Sequence, residues 1–329
     1  MSEKKKPLTA LPDQRGKNAI VTGTGGIGFE AALALTGAGA DVIIAGRNAE
    51  NGAKAILDIR ERVPGATVRF ELLDLADTDS IAAFCERAKS ALTSVDILMC
   101  IAGLMMPDGL TRTKEGAETQ FAVNYLGHFT LVAGLFPLLK AAPNARVVTV
   151  SSVANRPVRF DLRDATATRG YSHPADIATG PGCGATATRG HSASVSYALS
   201  KLCCLMFAVE LAKRSEENGG GVSAFCVHPG FARTRLFDRS YRFTMILLRV
   251  IFFIFPIIRQ SAKNAALPAL FAVTSQKAVS GGYYGPWFTI MGPPRKALMP
   301  LRAKNRELRK ALWDLSVSLA GLGPDAFHF

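Results

Sequence analysis

Residues 17–28 read KNAIVTGTGGIG, a short apolar run that leads directly into a glycine-rich turn. The run predicts a buried β-strand, and the alanine- and leucine-rich residues 28–38 predict the helix that follows it. Gly23, Gly25 and Gly28 match G-x-G-x-x-G, a spacing that lets the backbone turn sharply and approach a pyrophosphate at a helix N-terminus. Because the match lies between a strand and a helix, it is more specific than the glycines alone. We therefore predict that a dinucleotide binds along this turn, at Gly23, Thr24, Gly25, Gly26, Ile27 and Gly28.

The alternation of strand and helix continues along the chain. Further strands are predicted at residues 41–46, 67–73, 95–101, 146–150 and 222–227, and further helices at residues 49–62 and 77–92, in a long stretch that ends at residue 140, and around Tyr197. Short β-branched runs that alternate with amphipathic helices indicate βαβ units and a parallel sheet. The predicted fold class is α/β, with a single doubly wound (Rossmann) domain at residues 17–320, helices on both faces of the sheet, and a small C-terminal substrate lid. Residues 1–16 and 321–329 are predicted to be terminal tails.

The chain carries a net charge of +13, and 48% of its 329 residues are hydrophobic. Its basic residues are spread over several segments, with no zinc-finger spacing and no basic heptad region. We therefore expect no nucleic-acid partner. A basic surface of this kind favours anionic cofactors and anionic membrane faces instead.

The six cysteines form no CxxC pair and show no His/Cys spacing typical of a metal site, so no metal is expected. Their spacing indicates no disulfide framework, which favours a reducing compartment. Cys100 and Cys226 fall within apolar runs, where a thiol behaves as a small hydrophobe. The N-terminal residues 1–17 lack the apolar core of a secretory signal. The expected location is the cytoplasm, with peripheral membrane contact as an open alternative.

The end of the second predicted strand indicates which dinucleotide binds. An NAD-binding unit usually places an acidic residue there to hold the ribose hydroxyls, but this chain has Arg47 and Asn48, and Asp41 lies at the opposite end of the strand. A guanidinium pairs well with a 2′-phosphate, which favours NADP(H), although a solvated turn residue is the alternative. Asp74 and Leu75, at the end of the third strand, are predicted to lie beside the cofactor, with Asp74 contacting the adenine or capping the next turn.

Tyr197 and Lys201, in the string YALSK, place a phenol and an ammonium one turn apart on one helix face. A fixed positive charge nearby favours the phenolate form of the tyrosine. Tyr197 could then act as a general acid in carbonyl reduction or as a base in alcohol oxidation. An ordinary solvated helix face is the alternative for this common spacing.

Several motifs in a fixed order resemble the short-chain dehydrogenase/reductase family over most of the chain, from about residue 17 to residue 315. They are the glycine-rich turn, Asn124 in VNYLGHF, Ser151-Ser152 after a strand, YALSK, and His228-Pro229-Gly230 after another strand. Within the family, the strings AGRN, VNYLGHF, VSSVA and HPG look most similar to retinol dehydrogenase-type members, which act on lipophilic aldehydes, ketones and alcohols.

The resemblance implies a role for each matching residue. Ser152 would hydrogen-bond the substrate oxygen, Tyr197 would transfer the proton, and Lys201 would favour the ionised tyrosine and hold the nicotinamide ribose. Asn124 would anchor a water that links Lys201 to solvent. The remaining cofactor contacts would come from Ala102, Gly103, Pro229, Gly230 and Thr234. Ser151 and Ser152 point to opposite faces if the strand continues through them, so only one can reach the substrate.

The chain departs from the family pattern at three places. The glycine turn is one residue shorter than TGxxxGxG, and the family's Asn-Asn-Ala-Gly is replaced by Cys100-Ile101-Ala102-Gly103, which lacks the asparagine contacts. The string ATATRG occurs at residues 165–170 and again at residues 185–190, on either side of a Gly/Pro-rich stretch. This local duplication predicts a surface insertion at about residues 160–192.

The apolar run at residues 243–258, FTMILLRVIFFIFPII, provides a second indication of a lipophilic substrate. It is shorter than the roughly 20 residues that cross a bilayer, and Arg249 and Pro256 interrupt it. Residues 236–260 therefore read as an apolar lid over the substrate cleft or as a membrane-interface segment, with a buried core helix as the alternative. No segment of the sequence is expected to span a membrane.

Three points stay open at this stage. One alternative function is a protochlorophyllide-reductase-like double-bond reductase, which uses the same tyrosine–lysine pair. Another is a non-catalytic NADP(H)-binding sensor or scaffold, which would keep the fold without turnover. A homodimer would pair through the helices that bear Asn124 and Tyr197, as related enzymes often do, whereas an enzyme at an interface can stay monomeric.

Overall fold

The computed structural model describes residues 11–105, 107, 110–156, 193–230, 260–323, 325–327 and 329. The predictions made for Thr234, for the insertion at residues 160–192 and for the apolar run at residues 243–258 lie outside these residues.

A single twisted sheet runs through the described part of the chain, with the strand order β3-β2-β1-β4-β5-β6-β7-β8. Its strands are β1 (Asn18–Thr22), β2 (Asp41–Gly46), β3 (Val68–Leu72), β4 (Ile97–Cys100), β5 (Ala145–Val150), β6 (Val222–Val227), β7 (Tyr283–Pro286) and β8 (Pro294–Lys296). Neighbouring strands from β3 to β7 are parallel, and β8 is antiparallel to β7 at the sheet edge. The α/β doubly wound fold is therefore confirmed.

Helices connect the strands. They are α1 (Gly26–Gly37), α2 (Ala49–Arg62), α3 (Thr78–Ala91), α4 (Thr119–Ala141), α5 (Ala193–Glu217), α6 (Ala262–Thr274), α7 (Leu301–Lys304) and α8 (Arg306–Leu319). Local sequence signals fix several starts: Asn48 caps α2 and Asp77 caps α3, each through a side-chain oxygen that accepts a backbone N–H. Within α4, a π-helical segment at Ala122–Leu126 interrupts the regular helix.

The helices form a layer on each face of the sheet. In β1, Ile20 packs in the core that also contains α3, α4 and α5, whereas Ala19 and Val21 pack in the core that contains α1, α2 and α6. Because both faces of β1, β2 and β4 are buried, their sequences are largely continuous apolar runs, whereas the partly exposed β3 contains Arg69 and Glu71. This explains why β1, β2 and β4 were recognisable in the sequence.

The expectation that no segment is long enough to span a membrane was wrong, because two helices are long enough and apolar enough to do so. Helices Thr119–Ala141 and Ala193–Glu217 each contain an apolar window of adequate length, with a mean hydropathy of 1.4 and 1.6. These windows are 72% and 83% buried within the protein, because both helices pack against the sheet. Their apolar character is therefore explained by the core of the fold.

The C-terminal segment packs behind α4 and α5, on the side away from the sheet. Trp313 of α8 lies 5.2 Å from Phe129 and 5.9 Å from Phe207, measured between ring centroids. Phe327, in the stretch predicted to be a tail, is only 5% exposed and lies 4.5 Å from Trp313. Nothing in the sequence of residues 321–329 had indicated this contact.

Candidate active site

The candidate site lies at the carboxyl ends of the parallel strands, where the strand order reverses between β1 and β4. Open α/β sheets bind ligands at such a crevice. Gly23 follows β1 with φ of 99°, and a Cβ atom there would lie 3.6 Å from the Cα atom of Ala102 at the end of β4. The two strand ends therefore approach closely, and a left-handed backbone makes glycine the suitable residue at position 23.

The glycine-rich turn leaves the N-terminus of α1 accessible. A Cβ atom on Gly28 would collide with the carbonyl oxygen of Gly23, so the helix can pack this closely only with glycine there. Gly25 is the N-cap residue of α1, no side chain caps this end, and the first turn contains no acidic residue. Space around Gly25 is open, since a Cβ atom there would meet nothing within 4 Å. Free backbone N–H groups at a helix start suit a phosphate, so the turn fits the predicted dinucleotide.

Thr22, directly before the glycine-rich turn, binds the chain at the end of β4. Its Oγ1 atom accepts hydrogen bonds from the backbone N–H groups of Ile101 and Ala102, each at 2.9 Å. The side chain is fully buried. The end of β4 is thus tied to β1 in spite of the Cys100-Ile101 substitution. Thr22 was not predicted from the sequence, although it lies directly before the glycine turn.

His128 joins Thr22 to the helix that carries Asn124. A backbone carbonyl only accepts, so His128 Nδ1 donates to the Asn124 oxygen at 3.1 Å, and Nε2 accepts from the Thr22 hydroxyl at 3.0 Å. Burial, with a smaller contribution from the Lys201 ammonium, lowers the pKa of His128 to about 4. The imidazole is therefore neutral near pH 7 and has a defined tautomer. His128 was not predicted from the sequence either, although it lies one helical turn after Asn124 on the same face.

Asn124 lies in the π-helical segment and is buried. Its Oδ1 atom accepts from the Leu104 N–H at 2.8 Å, and its Nδ2 atom donates to the Leu104 carbonyl and to Ser200 Oγ, both at 3.0 Å. The amide therefore fixes the chain immediately after Gly103 against α5. The anchoring of a water by Asn124 stays a prediction.

Lys201 and Tyr197 lie beside these groups on α5. The Lys201 ammonium donates to the carbonyl oxygen of Val150 at 2.9 Å and lies 5.9 Å from the centroid of the Tyr197 ring. Lys201 is 4% exposed, whereas Tyr197 is only partly buried. A Cβ atom on Gly103 would lie 2.8 Å from Asn124 Oδ1 and 3.4 Å from Lys201 Nζ. The structure thus brings Gly103, Asn124, Tyr197 and Lys201 together.

The two serines after β5 have different surroundings. Ser151 is 1% exposed, donates to the Lys201 carbonyl oxygen at 2.5 Å and accepts from Asn155 Nδ2 at 2.8 Å. Ser152 is half-buried, and its hydroxyl accepts one long hydrogen bond, from the Ala154 N–H at 3.3 Å. The Ser151 hydroxyl is therefore used within the fold, and that of Ser152 is available to a ligand.

The other predicted cofactor residues lie along the same edge. Arg47 and Asn48 follow β2 and are exposed, with Asn48 capping α2 through the Asn51 N–H at 2.7 Å. The Asp74 side chain accepts a hydrogen bond from the Ala76 N–H at 2.9 Å. It therefore caps the turn after β3, which was one of the two roles predicted for it. Leu75 is 7% exposed and lies in the core.

Pro229 and Gly230 follow β6 at this edge. The side-chain amide of Gln260 donates to the Pro229 carbonyl oxygen. Gly230 has φ of 71°, and a Cβ atom there would collide with the carbonyl oxygen of Ile290. The turn is therefore packed against the segment that joins β7 and β8. Across the described ranges, no group of His, Cys, Asp and Glu residues could hold a metal ion.

Comparison with known proteins agrees with this geometry. The sequence profile of the short chain dehydrogenase family matches residues 17–161. Retinol dehydrogenase 12 of Mus musculus is 33% identical over 310 residues, which cover 93% of this chain and 87% of the relative. Retinol dehydrogenase 13 of Homo sapiens is 33% identical over 314 residues, which cover 93% of this chain and 85% of the relative.

Solved structures share the architecture. A crystal structure of an uncharacterised protein from Mycobacterium paratuberculosis superposes with a TM-score of 0.72 at 28% identity, covering 96% of this chain and 98% of that one. An NADPH-bound short chain oxidoreductase from Pseudomonas aeruginosa PAO1 shares the fold, with a TM-score of 0.61 at 19% identity over 83% of this chain and 96% of that one. The sequence similarity to the retinol dehydrogenases extends over nearly the whole chain, and the chain therefore belongs to the short-chain dehydrogenase family of nicotinamide-dependent oxidoreductases.

Proposed function

We propose that this protein is an NADP(H)-dependent oxidoreductase that interconverts a carbonyl and an alcohol on a lipophilic substrate, with Tyr197 as the proton donor and acceptor. The observation that carries the proposal is the convergence of Tyr197, Lys201 and Asn124 beside Gly103, at the edge where the glycine-rich turn leaves α1 uncapped. Bound nicotinamide would supply the hydride in reduction and accept it in oxidation.

Reduction of a carbonyl also requires a proton at the oxygen, and the chain's own residues can deliver it. Tyr197 is only partly buried, and a substrate oxygen would hydrogen-bond its hydroxyl. The Lys201 ammonium is buried and lies 5.9 Å from the centroid of the Tyr197 ring, so a fixed positive charge would accompany the proton transfer. Ser152 has a hydroxyl with one long contact and would donate a hydrogen bond to the same oxygen.

Arg47 supports the choice of NADP(H). It is exposed directly after β2, and the neighbouring Asn48 side chain is already used to cap α2. No carboxylate stands at this strand end to hold a 2′-hydroxyl or to repel a 2′-phosphate, since β2 ends in Gly46 and is followed by Arg47 and Asn48. A guanidinium there would pair with the 2′-phosphate through two parallel hydrogen bonds.

A lipophilic substrate is supported by the relatives and by the sequence. The curated relatives reported above are named retinol dehydrogenases, and retinol is an apolar alcohol. The sequence also contains the apolar run at residues 243–258, for which a substrate lid or a membrane-interface segment was predicted.

The first experiment is a cofactor and substrate panel on the wild-type protein. NADPH oxidation is followed by absorbance with a medium-chain aldehyde and with all-trans-retinal, with NADH alongside. We expect turnover with NADPH, and Arg47→Ala should weaken NADPH binding about tenfold while leaving NADH binding unchanged. Arg62→Ala, at the far end of α2, is the matched control. Binding of NADPH without turnover of any aldehyde would contradict the proposed activity.

A further inference from the structure

The loop between β7 and β8 is a hydrogen-bonded turn, which we call the hairpin tip (residues 287–293). Three backbone hydrogen bonds close it: Trp287 N–H to Pro293 O at 2.9 Å, Phe288 N–H to Met291 O at 3.1 Å, and Thr289 N–H to Pro286 O at 2.9 Å. The bonds hold Thr289 in a left-handed conformation, with φ of 66°.

Two large aromatic side chains project from the hairpin tip. Trp287 is 54% exposed and Phe288 is 70% exposed. Two adjacent exposed aromatic residues on one turn indicate a surface that contacts something apolar.

The hairpin tip lies next to the candidate active site. Strand β7 is parallel to β6, so its carboxyl end is on the same sheet edge as the turn at Pro229 and Gly230. The Ile290 carbonyl of the tip packs directly against Gly230. An apolar surface contacted by the tip would therefore be held at the edge of the sheet where the substrate is expected.

The positive charge around the hairpin tip indicates that the apolar surface it contacts is anionic. The Arg295 guanidinium lies 4.6 Å from the Trp287 ring centroid, and Lys296 beside it is exposed. Every charged residue from 239 to 306 is a lysine or an arginine, so this part of the sequence contains no acidic residue. Aromatic side chains with adjacent basic groups are typical of segments that lie in the interface of an anionic bilayer.

We propose that the hairpin tip inserts into the interface of an anionic lipid bilayer. Trp287 and Phe288 lie at the boundary between headgroups and acyl chains, and Arg295 and Lys296 contact the lipid phosphates. The contact itself is independent of catalysis. Its use, the delivery of a membrane-dissolved substrate to Tyr197, rests on the proposed function.

The chain contains two tryptophans, which makes the contact directly measurable. Trp313 is 5% exposed in the aromatic core, so a Trp313→Phe variant reports on Trp287 alone. We expect phosphatidylcholine–phosphatidylglycerol vesicles to shift the Trp287 emission to the blue and to protect it from iodide, and vesicles of phosphatidylcholine alone to do neither. Co-sedimentation of the wild-type protein, which needs no substitution, should show the same lipid preference.

Substitutions locate the contact. Trp287→Ser combined with Phe288→Ser should lower the vesicle partition coefficient about tenfold or more, because two interfacial aromatic side chains are lost. Leu298→Ser is the matched control, since Leu298 is 75% exposed but follows the opposite end of β8. It should leave partitioning unchanged.

Three results would overturn the proposal. They are an unchanged Trp287 emission with both kinds of vesicle, equal loss of partitioning in the control and the double variant, and shielding of Trp287 from iodide before any lipid is added. The last result would mean that another part of the chain or another protein covers the tip. Turnover of a short, soluble aldehyde is also measured for the double variant. Because this substrate needs no membrane, the assay tests the enzymatic function separately from the membrane contact.

Discussion

The Lys201 ammonium lies 5.9 Å from the centroid of the Tyr197 ring while it donates a hydrogen bond to the carbonyl oxygen of Val150 at 2.9 Å. The end of β5 therefore holds the charge at a fixed place beside the tyrosine. Within the described ranges, no carboxylate forms an ion pair with Lys201 that would neutralise this charge. The positive charge of Lys201 therefore acts on groups at the candidate site, and it does not form a stabilising ion pair on the helix.

Replacement of Lys201 should separate charge from packing. Lys201→Met keeps an unbranched apolar side chain but removes the ammonium, so we expect kcat to fall about 100-fold or more. The Val150 carbonyl loses its donor, which should cost about 1–3 kcal/mol of unfolding free energy. Lys213→Met, on the exposed side of the same helix, is the control and should change neither quantity measurably. Equal activity of Lys201→Met and wild type would contradict the assigned role.

The two serines after β5 should give opposite phenotypes. Ser152→Ala removes a hydroxyl with one long hydrogen bond, so we expect kcat to fall about 10- to 100-fold with stability nearly unchanged. Ser151→Ala removes a buried hydroxyl that bonds Lys201 and Asn155, so it should lower the free energy of unfolding by about 1–3 kcal/mol. Steady-state kinetics and urea unfolding measure the two effects. The reverse pattern would show that Ser151 is the substrate contact.

The sequence could predict the first six strands and point to the residues of the candidate site, for definite physical reasons. Strands such as Asp41–Gly46 are buried on both faces and are bounded by turn residues, so they read as continuous apolar runs. Strands β7 and β8 have four and three residues, too few to show a period, and β7 contains Gly285 and Pro286. Tertiary contacts alone decide these elements.

Some residues of the candidate site could likewise be predicted from the sequence, and others could not. Asn124, Tyr197 and Lys201 could be named from motifs, and the fold then brings them together beside Gly103. The hydrogen bonds of Thr22 and His128 join strand β1 to helix α4 across many residues, and no local pattern specifies them. Ser151 and Ser152 could be separated only by their surroundings.

Two buried histidines should make stability depend on pH. Burial lowers the pKa of both His128 and His228 to about 4, from about 6.5 in the unfolded chain, and the Lys201 and Arg156 charges add to the respective shifts. The unfolded state therefore binds more protons between these values. We expect the free energy of unfolding to be greatest above pH 6.5 and to fall as the pH decreases towards 4.

Urea unfolding at pH 7 and pH 5 measures this dependence while most carboxylates stay ionised. A His128→Gln variant should lose less stability than wild type over the same interval, because one of the two shifted groups is gone. A wild-type stability that is equal at both pH values would contradict the neutral, buried state of these histidines.

The C-terminal helix bears on the oligomeric state. It covers the outer face of α4 and α5, where Tyr125 donates to Ser316 Oγ at 2.6 Å and Arg309 pairs with Glu210 at 3.2 Å. A homodimer that pairs through this face would have to displace α8. We therefore expect a monomer by light scattering. A stable dimer whose interface buries α4 and α5 would contradict this expectation.

The same helix also packs through Trp313, so we expect Trp313→Ala to lower the free energy of unfolding by about 3–5 kcal/mol.

The proton-transfer role of Tyr197 is the central claim, and a single comparison tests it most directly. NADPH-dependent reduction of an active aldehyde is measured for wild type, Tyr197→Phe and Tyr284→Phe, together with NADPH binding by each protein. Tyr284 is the matched control, because its hydroxyl bonds the Val279 backbone and lies outside the site. The account predicts that Tyr197→Phe binds NADPH but loses turnover by about 100-fold or more, whereas Tyr284→Phe stays active. Full turnover by Tyr197→Phe would show that another group supplies the proton.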